Sequence, residues 1–294
     1  MPTIQLLDTF PEFEKFWRSA RFEPIDVQIE RWEREYMAPW PELLKKLKQS
    51  YAEEGADWKR IARTKVFPYL AERMPRMRRL HRNLLRILPG DWRRTKQALK
   101  LDFKVRFVIY VGIGVGAGWA TEYGGMPACL FGIENAAGYA SGADGGYPAS
   151  IAHEVAHIAH NQWRLRNGMG GIEGPRSPYW HLYEEGFATE CERRILDTKT
   201  FRMRTGRKDW LPWCESHRSW LAKKFLHDTR ARKSIRPFFG SWYNIHGYSE
   251  CGYFLGAEII REWTKSASLM EVATLSEAAI RKRARATLDL MARQ

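Results

Sequence analysis

The sequence predicts an α+β fold, mainly helical, with a small mixed sheet packed on one functional helix and a helical C-terminal lobe. Three observations lead there. Apolar residues recur at spacings of three and four through most of the first hundred residues and again through the carboxy-terminal third. Two short β-branched and aromatic runs interrupt this pattern, FKVRFVIYVG from residue 103 and PACLFGIE at 127–134. Between them and the last helices lies HEVAHIAH, residues 153–160, which puts three histidines and a glutamate on a stretch of helical period. At 294 residues and 44% hydrophobic content the chain can bury a substantial core.

In order, helical periodicity is seen near residues 12–20, then in PELLKKLKQSY (41–51), DWKRIARTKVFPYLAERM (57–74) and MRRLHRNLLRIL (77–88). Pro89 and Gly90 are expected to end the last of these, since proline lacks the amide that a helix interior needs. Residues 1–102 therefore read as a helical region throughout, and the change of pattern at about 103 as the start of a second domain, 103–294. A turn at Tyr123–Met126 separates the two strand candidates. GIGVGAG (112–118) fits the spacing of a dinucleotide-binding turn, but Gly124, Gly125 and Pro127 leave no room for the helix whose amides would meet a pyrophosphate. Its glycines read instead as a strand end or hairpin. NAAGYASGADGGYP (135–148) reads as a glycine-rich loop, with Pro148 or Ser150 starting a helix that carries HEVAHIAH toward Gly168. After GMGGIEGPRSP a helix is expected from about Tyr179 to Leu196, followed by helices that include SECGYFLGAEIIREW (249–263) and a basic carboxy-terminal one.

Composition narrows the possibilities. No run of about 18 apolar residues is found and the amino terminus lacks the pattern of a secretion signal, so a soluble, cytoplasmic protein is expected. Cys129, Cys191, Cys214 and Cys251 are scattered, which argues against a disulfide framework and against a cysteine zinc site. Net charge is +14, and residues 73–106 hold twelve Lys or Arg against Asp91 and Asp102. Such a block suits nucleic acid, anionic lipid or an acidic substrate, although a solvated basic helix face is the plainer reading.

H-E-x-x-H on a helix sets His153 and His157 one turn apart on one face, where two imidazoles can converge on one Zn2+. Glu154 beside them suits a general base: it can hold the water at an open fourth position, take its proton and deliver it to the leaving group. A third ligand is needed. His160 lies on the same face but about 10 Å further along the axis, too far on a straight helix, and reads as a supporting or core histidine. The long metzincin motif would need glycine at position 160 and histidine at 163, where the chain has His160 and Trp163. The alternative lies in YWHLYEEGFATECERRIL, where a glutamate followed by Gly186 and a small residue would let a second helix approach the first and aim one carboxylate at the ion.

At this point the chain resembles the gluzincin zinc metallopeptidases of the peptidase MA-like clan, in which H-E-x-x-H is followed by a glutamate ligand in an E-G-x-A-like helix. The resemblance implies that Glu185, rather than Glu184, is the third ligand of a single zinc ion. FGIEN (131–135) is similar to the G-x-M-E-N motif of the aminopeptidase N family, which implies that Glu134 binds a substrate's free α-amine. Tyr253 in YFLGAE is similarly placed to the tyrosine that stabilises the oxyanion there, with Tyr248 and His246 as rivals for that task. Thr189 stands where thermolysin-like enzymes carry an aspartate that orients a metal histidine, so His181, Glu184 and Glu190, with His160, are candidates for the supporting hydrogen bonds. The resemblance covers residues 103–264. It implies zinc-dependent hydrolysis of a peptide or protein lying antiparallel along an edge strand near CLFGIE, with an aminopeptidase as an alternative. Independently of the resemblance, the basic block at 73–106 makes a nucleic-acid-associated basic protein a further alternative.

Overall fold

The run that changes the pattern at residue 103 becomes β2 (Arg106–Tyr110), with Phe107 through Tyr110 fully buried. In the computed structural model, which describes residues 4–53, 55–139, 146–169, 177–198, 208–239 and 243–294, two neighbours flank it in parallel. These are β1 (Gln5–Asp8) and β4 (Pro127–Gly132). β3 (Trp119–Glu122) pairs antiparallel with β4, giving the mixed order β1-β2-β4-β3. Buried on both faces, β2 and β4 carry continuous apolar runs, as strands of a parallel sheet do. The β3–β4 hairpin closes on a turn in which Tyr123 N–H bonds Met126 O at 2.8 Å, and positive φ at Gly124 and Gly125 satisfies its geometry.

Two expectations change here. The first hundred residues are not helical throughout: QLLD is a strand, too short for its own periodicity to reveal and held by pairing with β2. The edge strand near CLFGIE is β3, since β4 itself lies between β2 and β3. Pro89 does not end a helix either. α5 (Phe67–Ala98) runs through both Pro75 and Pro89. An interior proline costs about 3 kcal/mol, but continuing the helix buries Trp92 and Thr95 in line with Leu80, Leu84 and Leu88, and one large apolar side chain contributes about 1.5–3 kcal/mol.

The chain forms two compact units: residues 1–96 with 100–155, and 97–99 with 156–294. In the first, α1 (Phe10–Ala20), α2 (Ile25–Arg31), α3 (Pro41–Glu53), α4 (Trp58–Ile61) and α5 surround the sheet. Single π-helical turns, Trp32–Tyr36 and Ala62–Val66, follow α2 and α4. Aromatic residues of the first of these turns and of α3 satisfy the backbone beyond β2: Trp32 Nε1 donates to Val111 O at 3.0 Å, Tyr51 OH of α3 to Ile113 O at 2.8 Å, and Val111 N to Tyr36 OH at 3.1 Å. α6 (Ile133–Tyr139) begins directly at the end of β4, so Ile133 to Asn135 of FGIEN are helical rather than strand. Residues 135–139 are likewise helix where a loop is expected; residues 140–145 lie outside the described part.

α7 (Tyr147–Arg166) is one continuous helix, and the division between the units falls within it. The second unit continues with α8 (Pro178–Ile195), α9 (Trp210–Ser216), α10 (Arg218–Arg230), α11 (Arg236–Phe239), α12 (Cys251–Trp263), α13 (Leu269–Ala273) and α14 (Glu277–Met291). α8 and α12 cross with their backbones in contact. A Cβ on Gly186 would stand 2.2 Å from Gly256 C, and one on Gly256 would stand 2.3 Å from Leu182 O. Among the described residues no helix is long and apolar enough to cross a membrane. All four cysteines are buried free thiols.

Candidate metal centre

α7 starts at Tyr147, one residue before the earlier of its two expected starts. It places His153, 4% exposed, and the half-buried His157 one turn apart. α8 is started by Ser177, whose hydroxyl accepts from Trp180 N at 3.3 Å, with Pro178 in the first turn where no amide partner is required. Seven residues beyond Pro178, the Oε2 of Glu185 stands 3.7 Å from His157 Nε2. One donor atom from each of His153, His157 and Glu185 lies within 4.8 Å of the others. Two imidazoles and one carboxylate, without thiolate, match the donor set of a catalytic zinc site, which keeps its fourth position open. The residues present therefore fit the ion.

Adjacent helical positions differ by about 100°, and this divides the work of the E-G pair. Glu185 turns to His157, whereas Gly186 meets Gly256 on α12. Gly186 is thus used for close approach to α12, not to the H-E-x-x-H helix as the sequence suggests. Gly256, inside the other motif YFLGAE, is its counterpart; the signal was present as a pair of glycines in two separate helices, but their meeting depends on the tertiary fold.

Glu154 is half-buried, with its Cγ 3.5 Å from the point a Cβ on Gly118 would occupy, at the start of edge strand β3. Among the described residues no hydrogen bond or ion pair engages it. Burial, and secondarily the charge of Glu154, push up the thiol of Cys129 on β4. The carboxylate therefore sits by the β3–β4 pair with its lone pairs uncommitted.

His160 is fully buried, with Nε2 2.8 Å from Tyr183 OH, which in turn donates to Val272 O at 2.8 Å. Because that hydroxyl has one proton, it accepts from His160, whose Nε2 carries the hydrogen. Phe187 packs at 4.9 Å from the same ring. His160 ties α7 to α8 one turn beyond His157, and sequence reasoning missed Tyr183 as its partner.

The remaining candidates are dispersed. Glu190 is engaged by Arg193 at 3.0 Å and Arg194 at 2.9 Å, which occupies it as an ion-pair partner rather than a support for a metal histidine. Thr189 Oγ1 donates to Glu185 O at 2.8 Å within α8. Glu184 is half-buried on α8, and His181 packs edge-on against Phe239 at 4.2 Å. Tyr253 lies in the first turn of α12, its ring 5.9 Å from Phe239. Tyr248 stacks on Trp213 at 4.2 Å and donates its hydroxyl to Asp209 at 2.7 Å, so that proton is already committed. His246 is exposed, 5.1 Å from Trp220, on a backbone with φ of 52°.

Glu134 is also placed differently from its expected role. It is fully buried in the first turn of α6, and its Oε1 accepts from Gly114 N at 3.2 Å. The Gly112 amide also bonds this carboxylate. It braces the glycine loop after β2 from inside and presents no surface to a substrate amine. Desolvation pushes its carboxyl up to about 7, against the pull of those amides.

Comparison of the chain with protein-family models, with curated proteins and with solved structures finds no match.

Proposed function

We propose that this chain is a zinc-dependent peptide-bond hydrolase of gluzincin type. The observation that carries the reading is the convergence of His153, His157 and Glu185 from two helices onto one point, beside a glutamate that no hydrogen bond or ion pair engages among the described residues. His153, His157 and Glu185 would hold the ion. Bound zinc supplies Lewis acidity, polarising a carbonyl and bringing the pKa of water toward neutrality. Glu154 takes the proton of the attacking water and returns it to the leaving amine. Tyr253 is the favoured donor to the developing oxyanion, since Tyr248 is held by Asp209. A peptide adding antiparallel to the outer edge of β3, which no described strand pairs with, would pass Gly118 and Glu154, the place where the proton is handled.

With Glu134 inside the fold, the reading requires no free α-amine. Amino-blocked and free peptides are expected to be cleaved at similar rates, and a strict requirement for the free amine would return Glu134 to substrate binding. Metal analysis of purified protein tests the centre itself. About one zinc per chain is expected, retained in Glu154→Gln with peptide hydrolysis lost, and bound at least tenfold more weakly in Glu185→Ala. Full occupancy in Glu185→Ala would remove Glu185 from the ligand set.

A further inference from the structure

We propose that α5 presents a phosphate-binding ridge for nucleic acid, formed by Arg79, Arg82, Arg86 and Arg93. Offsets of three, four and seven residues keep these four side chains within about 60° of one another around the helix. All four are exposed, on the side opposite the buried Met77, Leu80, Leu84 and Leu88. The ridge is about 21 Å long at 1.5 Å per residue, and it stays continuous because α5 does not break at Pro89. Among the described residues Arg79, Arg82 and Arg93 have no ion pair, and Arg86 bonds only the amide oxygen of Asn83. The two acids of α5 do not neutralise the ridge: Glu72 lies two turns before Arg79, and Asp91 is buried and faces Arg94.

A solvated helix face needs no such alignment, and folding gains nothing from like charges one turn apart, which repel. A polyanion reverses that repulsion. Duplex DNA carries a charge about every 1.7 Å of axis, so a ridge of this length spans roughly twelve phosphates. Guanidinium groups suit them through paired N–H donors. A membrane surface fits less well, because a helix lying on lipid inserts apolar side chains beside its cations. Here the apolar side of α5 is spent on the core, and no large apolar residue is exposed along the ridge.

The test is fluorescence anisotropy of a labelled mixed-sequence 20-base-pair DNA with the full chain between 50 and 200 mM salt. Four phosphate contacts predict a slope of log affinity on log salt of about −3 to −4. Replacing the four arginines by glutamine should abolish most of that slope and weaken binding at least tenfold at 50 mM salt. Replacing Arg281, Lys282, Arg283 and Arg285 on α14, which removes the same charge from another exposed face, should leave binding within about threefold. If the α5 quadruple variant unfolds, Arg82→Gln and Arg86→Gln alone should each lower the slope by about one. Absence of binding at 50 mM salt, or equal weakening by both quadruple variants, overturns the proposal. Tighter binding to phosphatidylserine vesicles than to DNA would assign the ridge to membranes and overturn it too. Glu154→Gln should bind DNA as the native chain does, which keeps this outcome separate from that of the zinc centre.

Discussion

Burial governs what single carboxylates can do in this molecule, and Glu134 shows it most directly. Its pKa of about 7 lies above the ordinary 4.5, so the folded chain holds a proton there that the unfolded chain releases. Stability from this group is complete below pH 4.5 and is lost as pH rises through 7. Glu134→Gln, which copies the protonated form, is expected to flatten that part of the profile and to raise stability at pH 8 by about 1–3 kcal/mol. Denaturant unfolding at pH 5 and pH 8 checks it; an unchanged profile would mean that Glu134 stays ionised inside the fold. Legibility at this scale follows the range of the interactions. His153, Glu154 and His157 are readable because helix geometry alone relates them, whereas Glu185 had two neighbouring candidates until family resemblance favoured it. The partners of Glu134 and Tyr248 depend on residues brought in by the fold, Gly114 and Asp209, which no local pattern reveals, whereas those of Glu190, Arg193 and Arg194, lie three and four residues along the same helix and follow from its period.

At the scale of elements, two devices fix α8 and with it the place of Glu185 beside His157. The first is the backbone crossing at Gly186 and Gly256. Gly256→Ala puts a methyl group into Leu182 O and the Gly186 backbone, which must part the helices. A loss of about 1–3 kcal/mol and weaker zinc binding are expected together, measured by unfolding and by competition with a chelating dye. Native zinc affinity in that variant would separate the crossing from the metal centre. The second is the His160–Tyr183–Val272 chain. Tyr183→Phe keeps the packing but removes an acceptor from His160 and a donor from Val272 O, for an expected loss of about 1–3 kcal/mol in the same unfolding measurement. Long amphipathic helices and the two buried strands were legible in the sequence because their periodicity is their own. β1 was not, since four residues make a strand only with a neighbour to pair with, nor was the continuity of α5, since a core face can outweigh an interior proline.

For the whole molecule, a ligand that binds only the folded chain shifts the unfolding equilibrium by mass action. Zinc at a thousand times its Kd should stabilise by about 4 kcal/mol, seen as a higher Tm than in chelator and absent in His153→Ala. The parallel pairing of β1 with β2 acts on a different quantity, the order of assembly. Gln5 faces Arg106 across a separation of about a hundred residues, so during synthesis the first strand must wait, unpaired, until β2 emerges. At about 5–20 residues per second that delay lasts several seconds or more, during which α1 to α5 are already available to fold. The amino-terminal strand is therefore the last piece of its own segment to settle, and cutting it away would leave one side of β2 as an open edge on which nascent chains could join.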